Sequence, residues 1–182
     1  LISTVKTPNG MRLKTRRTFD APQVAAANKL LNTLKYKDLK DMIETLCYVG
    51  YTSMLEYTAP DNRIVVQYNE PELRLLAVRE NTGGRYLQAL HEDIQYHVPK
   101  LIPPCNTHAF LTQVMLKEEE SEGYVALLKD GRRVKFKNEW YYLRHGTIDI
   151  ICTPKRLYEA ILDEKYDELI ALNQHSDVMK AK

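Results

Sequence analysis

Apolar positions along the chain fall into short runs whose period switches between strand-like alternation and helical spacing. Leu1–Val5 and Met11–Thr15 alternate on either side of Pro8-Asn9-Gly10, which predicts a hairpin with a loop longer than the tightest type. Asp20 is placed to cap a helix that starts near Pro22, a favourable first helical residue, and runs through Ala25-Ala26-Ala27 to about Leu34. A second helix, from Asp38 to about Val49, carries Leu39, Met42, Ile43 and Leu46 at helical spacing and stops at Gly50. Three strand-like runs follow, Tyr51–Tyr57, Arg63–Tyr68 and Leu73–Arg79, separated by Ala59-Pro60-Asp61-Asn62 and Asn69-Glu70-Pro71. Gly83-Gly84 opens a helix to about Tyr96, and Pro99, Pro103 and Pro104 mark a connector. Thr107–Lys117 reads as helical. Gly123–Leu128 and Arg132–Lys137 form a second hairpin around Lys129-Asp130-Gly131. From Pro154 onward Leu157, Ile161, Leu162, Leu169 and Leu172 predict helix. The sum is an α+β chain with a mostly antiparallel sheet and flanking helices.

Composition narrows the class without naming it. The 182 residues can bury a substantial core. They carry 26 basic and 24 acidic side chains, a formal +2, which excludes a polycation or an acidic tail. No apolar run approaches the roughly 20 residues needed to span a bilayer. The opening Leu1-Ile2-Ser3-Thr4-Val5 has neither an initiator Met nor the character of a signal peptide. The expectation is a cytoplasmic chain that begins partway through something longer. Cys47, Cys105 and Cys152 stand far apart, and His91, His97, His108, His145 and His175 form no ligand motif. Neither a disulfide framework nor a zinc site is expected.

Charge is unevenly distributed. Residues 1–40 hold nine basic side chains against Asp20 and Asp38, and residues 129–145 hold six against Asp130 and Glu139. Acid gathers in Glu118-Glu119-Glu120-Ser121-Glu122. Basic zones of this kind either line a polyanion site or are solvated faces. Lys135 and Lys137 stand at i and i+2 of a predicted strand, so their ammonium groups share one face while Phe136 takes the other. Like charges so placed repel unless an anion lies near, and polyphosphate is a natural one. The alternative is an exposed strand with ordinary lysines. Glu122 could ligate a divalent ion bridging such phosphates. Glu56, between Leu55 and Tyr57, is either an edge charge or an acceptor for ribose hydroxyls. Lys129-Asp130-Gly131 is turn chemistry, and Gly83-Gly84 lacks the spacing of a phosphate-binding loop.

These segments together resemble the phage RNA ligase 1 family of covalent nucleotidyltransferases. Leu55-Glu56-Tyr57-Thr58-Ala59-Pro60, followed by Asn62-Arg63-Ile64-Val65, is similar to nucleotidyltransferase motif III. Glu122-Gly123-Tyr124-Val125-Ala126 resembles motif IV, and Lys135-Phe136-Lys137 with Trp140-Tyr141 resembles motif V. Val78-Arg79-Glu80-Asn81 and Leu1-Ile2-Ser3-Thr4 match as well, and the resemblance runs from Leu1 to about Leu172. It implies a nucleotidyltransferase fold, incomplete at its N-terminus. Residues 1–145 would form the later part of the adenylyltransferase domain, and 146–182 the start of a helical C-terminal region.

The implied activity is ATP-dependent joining of RNA 5′-phosphate and 3′-hydroxyl ends, with Mg²⁺ or Mn²⁺, in RNA repair; nicked tRNA is one candidate substrate. A lysine is adenylylated, AMP passes to the RNA 5′-phosphate, and the 3′-hydroxyl displaces it. By the resemblance, Glu56 holds the ribose, Lys135 and Lys137 hold the triphosphate, and Arg16 replaces a phosphate-contacting lysine. Glu122 and Asp167 serve the metal, and Tyr141 matches an essential tyrosine.

The family nucleophile lies in K-x-D-G, a motif these residues lack. The resemblance therefore implies a complementary N-terminal segment carrying it, in host cytoplasm if the chain is of phage origin. Two rivals remain: a non-catalytic RNA-binding or complementing subunit, and another nucleotidyltransferase such as a DNA ligase or capping enzyme.

Overall fold

The computed structural model describes residues 1–62, 65–87, 97–100, 102–103, 106–113 and 115–173. The chain divides into two compact units, Leu1–Asn62 with Tyr68–Ile102, and Arg63–Gln67 with Pro103–Lys182.

The first unit is built on a four-stranded antiparallel sheet, β1 (Ile2–Thr7), β2 (Gly10–Lys14), β3 (Tyr51–Thr58) and β4 (Glu72–Glu80), in the order β2-β1-β3-β4. Thr7 pairs with Gly10, so the first hairpin closes through Pro8 and Asn9 alone. Neither Pro8 nor Asn9 takes the positive φ of the tightest hairpin turns; it falls on Gly10, at +107°, as in the longer hairpin loops that end in a positive-φ glycine. Helix α1 (Pro22–Leu31) and helix α2 (Lys37–Tyr48) carry the remaining chain between β2 and β3. Val24, Ala27 and Leu31 of α1, and Leu39, Ile43 and Cys47 of α2, recur at helical spacing and are buried. Val24, Ala27, Leu31, Leu39 and Ile43 form one core with Ile2, Leu13, Leu55, Tyr57, Leu73, Leu75 and Val78 of the sheet. Full burial of each large aliphatic side chain there contributes about 1.5–3 kcal/mol.

Three local expectations are corrected. The residue before α1 is Ala21, in extended conformation with no side-chain cap; Asp20 lies one position too early. Pro22 enforces this, because it drives its predecessor out of helical conformation. The run expected as a strand over Arg63–Tyr68 is not one where it is described: residues 65–68 are bend and coil. Its apolar content reports burial, as at Val65, rather than strand pairing. Residues 83–87 are not helical; Leu87 and Glu80 bond back across a turn, to Val78 and Arg85. Residues 88–96, where that helix was expected to continue, lie outside the described set.

Val78-Arg79-Glu80-Asn81 proves to be a structural clasp. Arg79 Nε donates to the Gly84 carbonyl at 3.1 Å, and Asn81 accepts from the Thr52 hydroxyl at 2.8 Å. Tyr36, in a 3₁₀ turn (Leu34–Tyr36), ties α2's entry to the sheet: its hydroxyl accepts the Leu73 amide at 3.1 Å. Its ring packs on His97, whose Nε2 donates to the Lys35 carbonyl at 3.0 Å.

The second unit contains α3 (Thr107–Gln113), a 3₁₀ turn (Met115–Lys117), the β5–β6 hairpin (Gly123–Leu127 and Arg133–Lys137), α4 (Glu139–Cys152), α5 (Pro154–Leu162) and α6 (Tyr166–Asn173). Asn106 caps α3 by accepting from the His108 and Ala109 amides. Thr153 is extended and Pro154 restarts the helix, so α4 and α5 meet at a sharp bend. Helix α4 runs unbroken through residues 145 and 146 and packs against both α5 and α6. Cys47 and Cys152 are free thiols. Among the described residues no helix is long and apolar enough to cross a membrane.

Replacing Tyr36 by Phe strands the buried Leu73 amide. Urea unfolding should show a loss of about 1–3 kcal/mol. An unchanged midpoint and slope would contradict the role given to this hydroxyl.

Candidate nucleotide site

The second hairpin turns at Lys129–Arg132, and its register pairs Gly123 with Lys137, Val125 with Lys135 and Leu127 with Arg133. Directly opposed residues share a face. One face therefore presents Arg133, Lys135 and Lys137 beside Val125 and Leu127, all exposed. The other carries Tyr124, Ala126, Val134 and Phe136; Val134 and Phe136 are half-buried, and the Phe110 ring meets Tyr124 edge-on at 4.8 Å.

Strict alternation would put Glu122 on the Tyr124 face. Gly123 prevents this. Its φ of +129° breaks the alternation, and its lack of a Cβ lets the chain lie against Phe136; a side chain there would overlap the Phe136 carbonyl oxygen. The Glu122 carboxylate is thereby brought to the lysine face. It hydrogen-bonds Lys135 Nζ, and Lys137 Nζ lies 3.6 Å from the same oxygen. The anion needed between two neighbouring lysines is supplied by the chain itself.

Asn138 follows Lys137 and is fully buried. Its Oδ1 accepts the Tyr141 amide at 2.8 Å, capping α4. Its Nδ2 donates to the Glu118 carbonyl at 3.2 Å and to Ser121 Oγ at 2.9 Å, and its own amide donates to the Glu122 carbonyl at 3.2 Å. The acidic run 118–122 is thus a pinned loop, with Glu120 at φ +60°, a left-handed conformation costing a non-glycine residue about 1–2 kcal/mol. Tyr141, buried in the first turn of α4, places its ring 4.6 Å from Lys137 Nζ. Arg144 stacks over Trp140 in the next turn.

The Tyr124 hydroxyl donates to Glu118, and that bond, with burial, pushes the phenol up to about 12. The raised value means the folded state favours the protonated phenol. Its stabilising contribution is complete below the ordinary tyrosine value of about 10 and disappears as pH rises from there through about 12.

Glu56 and Arg16 belong to the first unit. Glu56 lies on β3 directly opposite Arg74, on the sheet face away from α1 and α2. That face also carries Met54, Ser3 and Lys14 in one cross-strand row. Arg74 is paired with Glu72 at 2.9 Å, and among the described residues no hydrogen bond or ion pair engages the half-buried Glu56 carboxylate. As an acceptor open to ligand hydroxyls it suits a ribose. Arg16 is exposed two residues beyond β2, next to Arg12 and Lys14, whose cationic groups lie 4.5 and 5.4 Å from the Phe19 ring.

Of the residues expected at the site, Glu122, Lys135, Lys137 and Tyr141 are brought together in the second unit. Asp167 lies in the same unit, exposed in the first turn of α6, and α6 packs on α4. Among the described residues no group of three or more His, Cys, Asp or Glu is arranged to hold a metal. A single carboxylate such as Glu122 suits Mg²⁺ only where phosphate oxygens and water complete its shell. Asn138 and the Tyr124–Glu118 pair are the residues sequence reasoning missed. The signal for Asn138 was available, since an Asn before Glu139 at a strand end is a good helix cap.

Two substitutions test this geometry. Glu118→Gln should bring the Tyr124 titration, followed by ultraviolet absorbance or NMR, from about 12 back toward the ordinary value; an unchanged titration would contradict the assigned cause. Gly123→Ala should cost about 1–3 kcal/mol in thermal unfolding and free Lys135 from Glu122; a stable variant with the ion pair intact would contradict the role of Gly123.

No protein-family model matches the chain. Among curated proteins, it is 27% identical over 183 residues to a "Putative RNA ligase" of Thermovibrio ammonificans, an alignment covering 94% of this chain and 47% of the relative. It is 26% identical over 181 residues to RNA ligase 1 of Bacteriophage TS2126, covering 94% of this chain and 44% of that one. A "Putative bifunctional polynucleotide kinase/RNA ligase" of Autographa californica nuclear polyhedrosis virus is 29% identical over 157 residues, which are 80% of this chain and 22% of the relative. The chain spans about half the length of the first two of these relatives. Over most of its length the chain is thus similar to three proteins of separate origin, each with RNA ligase in its name.

Proposed function

We propose that this chain forms the larger part of the nucleotide-binding core of an ATP-dependent RNA ligase with a nucleotidyltransferase fold. The observation that carries the reading is the pair of strand lysines held around Glu122. Lys135 and Lys137 bind the ATP polyphosphate, which offers more negative charge than Glu122 and displaces it. The freed Glu122 carboxylate, with Asp167, would then hold Mg²⁺ or Mn²⁺, which supplies neutralisation of charge on the phosphoryl oxygens. Tyr141 holds the Lys137 ammonium against its ring face. Glu56 accepts hydrogen bonds from the ribose hydroxyls, and Arg16 contacts phosphate.

The sequence contains no K-x-D-G, so in this reading the nucleophilic lysine comes from a segment outside these 182 residues. That amine attacks the α-phosphorus of ATP, and pyrophosphate leaves. AMP is passed to the RNA 5′-phosphate, and the 3′-hydroxyl attacks that phosphate and expels AMP. Fixed cations stabilise the charge that builds on the phosphoryl oxygens in each step. The alignments to proteins named as RNA ligases support RNA as the polymer.

The test uses ATP labelled at the α-phosphate with Mg²⁺, with the chain alone and with an added segment carrying K-x-D-G. Covalent AMP should appear only in the mixture, on the added lysine, and Lys135→Ala or Lys137→Ala should each reduce it about 10- to 100-fold, the loss of one charge-assisted contact. Label on the chain alone, for instance at Lys129, would contradict the assignment of the nucleophile. RNA binding without any AMP uptake would favour a non-catalytic module.

A further inference from the structure

We infer that Asn138 is a positioning residue of the nucleotide site, acting through Glu122 rather than by touching the ligand. The inference rests on the reading of Glu122, Lys135 and Lys137 as the polyphosphate and metal site.

Three features of Asn138 carry it. The side chain is completely buried and uses both ends of its amide, with three hydrogen bonds to three different residues. Helix capping needs only Oδ1. The two Nδ2 bonds, to the Glu118 carbonyl and to Ser121 Oγ, do nothing for α4; they close the loop whose last residue is Glu122. The backbone amide of Asn138 also donates to the Glu122 carbonyl, so the residue grips this loop at both ends.

Its position makes the grip functional. Asn138 directly follows Lys137 and comes three residues before Tyr141, whose ring underlies the Lys137 ammonium. One buried amide therefore fixes the carboxylate, the nearer lysine and the aromatic support relative to one another. A loop with a left-handed Glu120 and an acidic run of like charges has no internal reason to stay folded. Remove the Nδ2 bonds and the loop relaxes, taking Glu122 off the lysine face while α4 stays capped.

Asn138→Asp makes this separable, because Asp keeps the capping oxygen and loses the two donors. Ser121→Ala removes one acceptor without changing charge. The first readout needs no nucleotide: amine acylation of Lys135 and Lys137, quantified by mass spectrometry. Glu122→Gln should raise Lys135 labelling about two- to fivefold, the factor for release of a partly exposed ion pair. Asn138→Asp should match it, Ser121→Ala should move it in the same direction, and circular dichroism should remain that of the native chain. In the double variant Asn138→Asp with Glu122→Gln, labelling should rise no further than in either single variant.

The second readout is MgATP affinity by equilibrium dialysis, expected to fall about tenfold in Asn138→Asp, as for loss of a supporting hydrogen bond behind a metal ligand. Native labelling and native MgATP affinity in Asn138→Asp would overturn the inference, leaving Asn138 a helix cap. Additive labelling in the double variant would also overturn it. If the native chain binds no MgATP while the labelling pattern holds, the positioning role stands and the nucleotide reading fails.

Discussion

Two ammonium groups on one strand face, with a single carboxylate between them, set the terms for the rest of the second unit. Lys135 and Lys137 repel each other at a separation dictated by the strand repeat, and neither has a hydrophobic reason to be there. Glu122 resolves the repulsion, yet the pair is worth little to stability. Both lysines are about half exposed, at 52% and 40%, and ion pairs in that setting contribute at most about 1 kcal/mol. The structure nevertheless invests a positive-φ glycine, a left-handed Glu120 and a buried asparagine in keeping the carboxylate there. Such investment in a weak contact makes sense when geometry, rather than folding free energy, is what is being held.

The same logic explains why the arrangement is exchangeable. A carboxylate that is half-screened by water can be displaced by a polyphosphate, which brings several charges to the same ammonium groups. In the first unit the design differs. The helices cover one face of the sheet with a close-packed apolar core, and the face bearing Glu56 is left polar, with Lys14, Ser3 and Arg74 nearby in register. A rigid core on one face and ligand-capable groups on the other suit a scaffold that orients a ligand.

Much of this was legible in the residues, for identifiable reasons. Both hairpins follow from alternation with turn residues between, and α1 and α2 follow from apolar spacing, because each element buries one face and so must show its period. Lys135 and Lys137 could be placed on one face for the same reason. Where the reading failed, a neighbour overrode a local signal. Pro22 took the cap position away from Asp20, and the apolar run near Val65 served burial rather than pairing. Most instructive is Glu122. The register of the hairpin puts it beside the lysines, but alternation sends it to the opposite face, and only the backbone at Gly123 shows which rule wins. Asn138 was legible as a helix cap, but its hold on the acidic loop was not, because Glu118 and Ser121 lie twenty and seventeen residues away and are joined to it only by the fold.

If Glu122 is the site's own stand-in for phosphate, its removal should have opposite effects with and without metal. The decisive measurement is ATP affinity of Glu122→Gln against the native chain, by equilibrium dialysis, once in EDTA and once in excess Mg²⁺. Without metal the variant should bind about two- to fivefold more tightly, since no internal anion competes for Lys135 and Lys137. With Mg²⁺ it should bind more weakly, since the carboxylate that would hold the metal is gone. Equal weakening in both conditions would show that Glu122 never competes with the nucleotide, and the account of the lysine pair would fail.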